Sequence, residues 1–124
     1  MKSLKSNDSK VLDMLPSARI SALGIELPPA AQPSFKYIPV SIHGDLAFVS
    51  GQLPKIGGDV TVTGLVGDSV SIEEWREAAL VCALQALACL AEALGSLDGI
   101  RQHVKRTGFV CECPGFHRQA AVFV

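Results

Sequence analysis

The sequence predicts a single α+β domain, and three patterns carry that prediction. An apolar hairpin pattern surrounds Gly44-Asp45, a long capped helix pattern covers residues 72–94, and a further strand pattern follows Asp98-Gly99. At 124 residues, with 48% hydrophobic and 19% charged residues, the chain has the composition of a packed globular domain and not of a disordered one.

The elements follow in order. Residues 1–10 are rich in Lys, Ser, Asn and Asp without an apolar period, so residues 1–16 are expected to form a mobile extension and residues 17–124 the domain. Ser17–Leu23 followed by Gly24 reads as a short helix with a glycine stop, and Pro28, Pro29 and Pro33 make a stiff connector. Tyr37, Ile38, Val40 and Ile42 run into Gly44-Asp45, and Leu46–Val49 returns at once, which is the signature of a β-hairpin. Pro39 marks the first strand as an edge or a bulge. Gly57-Gly58 and Gly64 bracket Val60 and Val62, predicting another short strand across a turn.

Residues 72–94 give the clearest signal. Ser71 with Glu74 forms a capping box, Val70 is placed to staple onto Trp75, and Gly95 supplies the stop, for a helix of about 34 Å. Leu80, Leu84, Leu87, Ala91 and Leu94 are expected to line its core-facing side, although its middle is apolar almost all round. Residues Ile100–Cys111, with Val104, Phe109 and Val110, read as a strand.

Charge and cysteine usage bound the function. A net charge of −1 gives no electrostatic case for nucleic acid as the main partner. Cys82, Cys89, Cys111 and Cys113 lie in or beside apolar segments and no secretory signal is visible, which points to reduced thiols in a cytoplasm. The longest apolar run, Ala78–Ala91, is interrupted by Gln85 and shorter than a bilayer span, so no membrane segment is expected.

The candidate site is the strand end Leu46-Ala47-Phe48-Val49-Ser50-Gly51-Gln52-Leu53-Pro54. Gly51 permits positive φ or close backbone approach, Ser50 and Gln52 offer a hydroxyl and an amide, and Pro54 ends ladder donation. Ser50 has no His/Asp partner in the pattern and is not read as a nucleophile. Cys111-Glu112-Cys113 with His103 and His117 fits no zinc spacing, so no metal is expected. Arg101, His103, Lys105 and Arg106 read as a solvated basic strand face, without aromatic stacking residues or an acid/base pair nearby. His43 reads as a surface turn residue.

Tyr37, Gly44-Asp45-Leu46, Phe48-Val49-Ser50-Gly51-Gln52-Leu53-Pro54, the helix ending Leu94-Gly95, and Val104-Lys105-Arg106-Thr107-Gly108-Phe109-Val110 together resemble the Rid family. The family is also called YjgF-like or endoribonuclease L-PSP, and its fold is chorismate-mutase-like. The opening Leu23-Gly24-Ile25-Glu26-Leu27-Pro28-Pro29 resembles one branch of it, and the likeness covers roughly residues 18–120. The resemblance implies a mixed sheet backed by two helices, a homotrimer with ligand clefts between protomers, and hydrolysis of reactive enamines or imines to a keto acid and ammonia. It implies no cofactor. Tyr37, Ser50 and Gly51 are the site residues that carry over, as substrate-binding groups.

Other family features have no match. Gln85 stands where the first helix commonly has Asn, and Ala120 falls near an Asn that lines the cleft in many members. The chain stops at Val124, where the second helix should begin. The carboxylate-binding arginine and the late glutamate therefore have no counterpart, and Arg118 does not replace the arginine. A truncated or frame-shifted product, or a fragment, is expected, with its catalytic residues unknown. The alternative is a non-catalytic small-molecule-binding or remnant protein of the same fold, and a remoter one is an RNA-binding, endoribonuclease-like protein.

Overall fold

The computed structural model describes residues 13–123. The order is α1 (Pro16–Ala22), β1 (Val40–His43), β2 (Leu46–Val49), β3 (Lys55–Ile56), β4 (Asp59–Val60), α2 (Ile72–Leu94) and a terminal 3-10 turn (Gln119–Phe123). The α+β class is as expected. Most of the expected extension over residues 1–16 lies outside the described residues, and its last residue opens α1. Pro16 suits that place because the first helical residue needs no N–H donor.

Leu15 offers α1 no side-chain cap. The cap comes from far along the chain: Ser17 donates its backbone N–H to Asp98 Oδ1 and its hydroxyl to Asp98 Oδ2, both at 2.8 Å. These bonds, the backbone one first, hold the Asp98 carboxyl below its ordinary range. At the other end Gly24 takes φ 67°, donating to Ser21 O while Ile25 donates to Ile20 O, which is a Schellman stop.

β1 and β2 pair antiparallel across the two-residue Gly44-Asp45 turn, with Val40 opposite Val49 and His43 opposite Leu46. The Gly57-Gly58 turn joins β3 and β4, with Lys55 opposite Val60. Each pair forms its own two-stranded sheet, so the sheet is smaller than expected. The core is built of small and branched side chains: Val40, Val66, Val70, Ala78, Ala88, Cys89, Leu97 and Val122 are buried. Val66 is fully enclosed and exchanges backbone bonds with Cys111 and Cys113, tying residues 64–70 to residues 111–113.

α2 keeps its expected bounds. Ser71 Oγ accepts from the Glu74 amide at 3.2 Å, the Glu74 carboxylate accepts from the Ser71 amide at 2.8 Å, and Gly95 ends the helix at φ 77°. Its inward face corrects the sequence reading. Ala78, Gln85, Ala88 and Cys89 are buried, whereas Leu80 is 56% exposed and Leu94 38%. The leucines mark the side opposite the buried one, and the small side chains let the sheets approach more closely than leucines would. By length and a mean hydropathy of 1.7 the same helix is long and apolar enough to cross a membrane, which the interrupted run in the sequence did not predict.

The strand expected over Ile100–Cys111 does not form. Glu112 bridges to Val66 and Cys111 O accepts from the Val66 amide, but residues 101–110 make no backbone hydrogen bond among the described residues, with Val104 74% and Phe109 90% exposed. A strand exists only through its neighbour's hydrogen bonds, and both hairpins are closed pairs that do not reach this segment. The segment leans on the terminal turn instead. The Arg106 guanidinium lies 5.9 Å over the Phe123 ring, and that ring fills the space a Cβ at Gly108 would need. Arg76 Nε donates to Ala121 O at 2.7 Å, and Val122 is buried.

Ser71→Ala is expected to lower stability by about 1 kcal/mol, read as a lower denaturant midpoint with an unchanged slope. Glu74 and Asp98 both titrate below their ordinary values of 4.5 and 3.8 because Ser71 and Ser17 donate to them. Their contributions are therefore complete above those values and are lost as pH falls through the lower folded-state ones. Glu74→Gln should flatten the acid limb of a stability-versus-pH curve, and an unchanged limb would contradict the assignment.

Candidate functional site

The hairpin register builds the candidate site at its open end. The Ser50 amide donates to Pro39 O at 2.9 Å, extending the β1–β2 ladder by one rung beyond Val49. Pro39 has no N–H, so this rung carries one bond only and pairing stops here. Tyr37 lies two residues before Pro39, at the same end of the hairpin, and is 46% exposed. The structure thus brings Tyr37, Ser50 and Gly51 to one end of one hairpin.

Ser50 is unusual there. Its hydroxyl oxygen is buried and has no hydrogen-bond partner among the described residues, although its carbonyl accepts from Gln52 Nε2 at 3.1 Å. A buried hydroxyl left unpaired costs about 1–3 kcal/mol. Next to it, the amides of Gly51 and Gln52 make no hydrogen bond among the described residues. A hydroxyl and two successive amide donors form a polar end on an otherwise apolar hairpin, suited to a carboxylate, a carbonyl or a water.

Gly51 corrects the sequence reading. It does not adopt positive φ, and no atom lies within 4 Å of the position a Cβ would take. Within this chain neither reason expected for the glycine operates, and the space beside it is open. The span that follows is braced at its far end: Pro54 O accepts from the Thr61 amide and hydroxyl, at 2.8 and 3.1 Å, and Lys55 O accepts from Gln85 Nε2. Sequence reasoning treated Gln85 only as a polar interruption and a departure from Asn. A lone amide in the middle of an apolar helix was the available signal.

Two cavities lie elsewhere. One of about 290 Å³ is lined by Gln32, Pro33, Ile38, Pro39, Cys89 and Glu92 among others. The second, about 500 Å³, lies between Met14–Arg19 and Asp98–His103. Neither is lined by Tyr37, Ser50 or Gly51.

The remaining candidates separate. Among the described residues no group of three or more His, Cys, Asp or Glu side chains is placed to hold a metal ion, so Cys111, Cys113, His103 and His117 do not converge. Burial pushes the Cys82 thiol above its ordinary value, away from thiolate chemistry. His43 is exposed at the turn, as expected. Arg101, His103, Lys105 and Arg106 are exposed, and Phe109, three residues beyond Arg106, is the aromatic neighbour that the sequence reading did not credit to the basic run.

Residues 17–115 match the family described as "YjgF/chorismate_mutase-like, putative endoribonuclease". The chain is 41% identical over 108 residues to Protein TCP17 of Trypanosoma cruzi, covering 86% of this chain and 66% of that one. A crystal structure of an Agrobacterium tumefaciens protein of unknown function superimposes with a TM-score of 0.72 at 42% identity, covering 85% of this chain and 63% of that one. A Shewanella oneidensis protein described as a putative endoribonuclease gives a TM-score of 0.62 at 34% identity, covering 68% and 56%. The chain thus spans slightly under two thirds of the length of its curated relative, and less of the two solved structures. The match over residues 17–115, with the hairpin, the Ser50-Gly51-Gln52 end and the long helix inside it, places the chain in the YjgF/chorismate-mutase-like family.

Proposed function

We propose that this chain supplies one wall of a cleft that binds small enamines, imines or related carboxylates, in a family reading that ends in hydrolysis to a keto acid and ammonia. The observation that carries the proposal is the buried, unpartnered Ser50 hydroxyl beside the unpaired Gly51 and Gln52 amides. An imine carbon is already electrophilic. Water adds to it, the carbinolamine loses ammonia, and the carbonyl remains, so the protein need only orient the substrate and hold the charge that develops. Hydroxyl and amide donors serve that purpose without a cofactor.

This wall is incomplete alone. The resemblance implies a carboxylate-binding arginine and a late glutamate as further groups of the cleft, and turnover by this chain is part of the proposal. We also assign the exposed apolar residues Ile38, Phe48 and Leu80, 75%, 57% and 56% open, to contacts between protomers of a homotrimer. Reduced thiols suit such a protein to the cytoplasm. A second reading has one observation in its favour: the exposed Phe109 beside the basic run offers a stacking face and charge to single-stranded RNA.

Aminoacrylate generated in situ is the direct test, with pyruvate and ammonia as readouts and 2-oxobutanoate as a binding probe. Release faster than buffer is expected for the hydrolase. Binding without acceleration supports the non-catalytic alternative, and neither binding nor acceleration rejects the cleft. Ser50→Ala should leave stability unchanged or raise it, since it removes an unpaired buried hydroxyl, while weakening 2-oxobutanoate binding about 5-fold. A clear loss of stability with unchanged binding would show that the hydroxyl is structural. For the RNA reading, affinity for a single-stranded oligonucleotide should fall steeply with salt and be lost in Phe109→Ala.

A further inference from the structure

The β3–β4 hairpin and the span leading into it are attached to the rest of the protein in an economical way. Between residues 50–61 and the other described residues there are two hydrogen bonds: Ser50 N–H to Pro39 O at 2.9 Å, and Gln85 Nε2 to Lys55 O. The remaining bonds are internal. Gln52 Nε2 reaches Ser50 O, the Lys55 amide reaches Leu53 O at 2.8 Å, and Thr61 holds Pro54 O twice. The hairpin tip at Gly57-Gly58 is exposed, and nothing packs against Gly51.

Gln85 is the buried polar side chain of the described core, 6% exposed on a helix otherwise made of Ala, Leu, Val and Cys around it. An apolar residue there would satisfy the packing equally well. A buried amide is costly unless paired, and what it adds is direction: it fixes one carbonyl at one distance from the helix, where dispersion contacts would allow sliding.

We propose that Gln85 is a positioning residue for the Ser50 site, a latch that holds the β3–β4 hairpin on α2 while unpacked Gly51 serves as the pivot. The latch sets where the Gly51 and Gln52 amides stand relative to Ser50, because the span is short and fixed at both ends. Released, the hairpin turns about Gly51 and the polar end loses its shape without the fold being lost. The consequence for binding rests on the reading of Ser50–Gln52 as a ligand wall; the latch itself does not.

The test uses the full chain with Gln85→Met, which keeps length and removes the donor, read by amide hydrogen exchange and 2-oxobutanoate titration. Exchange at Lys55 and Thr61 should rise more than tenfold, exchange within β1–β2 should stay unchanged, and the probe should bind at least fivefold more weakly. Unchanged exchange, a rise spread equally over β1–β2, or a local rise with unchanged binding overturns the proposal. If the parent chain does not bind the probe, the wall reading has failed, and the exchange pattern alone decides the latch. Should Gln85→Met not fold, Gln85→Glu keeps the shape and donates only when protonated. Protection at Lys55 and Thr61 that returns on acidification supports the latch, and protection indifferent to pH overturns it.

Discussion

The buried hydrogen bond from Gln85 to the Lys55 carbonyl ties the small-residue side of α2 to β3, opposite the side that carries its leucines. Leu80, Leu84, Leu87 and Leu94 share one side of α2, and Ala78, Gln85, Ala88 and Cys89 share the opposite side, which is the buried one. The one directional bond lies on the buried side. With Gln85 turned toward β3, Ala78, Ala88 and Cys89 follow onto the same side, and Leu80 is carried outward.

The rest of the molecule is closed by polar contacts of long sequence separation. Asp98 caps α1 across 81 residues, replacing a local cap that Leu15 cannot provide. Arg76 holds the terminal turn through Ala121 O, bringing Val122 into the core beside a seam where Val66 bonds residues 111 and 113. Each contact joins a segment with little apolar area of its own to the one long helix or to its exit. Such a protein depends on a few exact bonds more than on a large core. Among the described residues the eight buried apolar ones include no aromatic and one leucine.

What could be read from the sequence followed from local chemistry. The capping box and Gly95 define α2 because they act within four residues, and Gly44-Asp45 defines the hairpin because a two-residue turn fixes its register. The helix face was misread, since the leucines mark one side while the opposite side of small residues is the buried one, and the strand over Ile100–Cys111 was misread because Val104 and Phe109 carry strand propensity without a partner. At the candidate site, Ser50 and Gly51 were proposed from the strand end and, with Tyr37, from a family pattern. The role of Gln85 was not, for a hydrogen bond across 30 residues leaves only an amide out of place.

The orphaned atoms share a physical logic. Besides Ser50 Oγ, the Trp75 indole nitrogen and Glu112 Oε2 are buried without partners among the described residues. Trp75 stands at the start of α2 and Glu112 on the Val66 bridge, both inside the packed frame. Ser50 differs by its neighbours, because its chain continues into unpaired amides and open space at Gly51. The Ser50 hydroxyl is as enclosed as the other two, but it stands beside the exposed Gly51 and half-buried Gln52 amides, so a ligand held by those donors would lie next to a group that is already desolvated. That asymmetry, and not the serine itself, is what favours the end of β2 as the proposed binding surface.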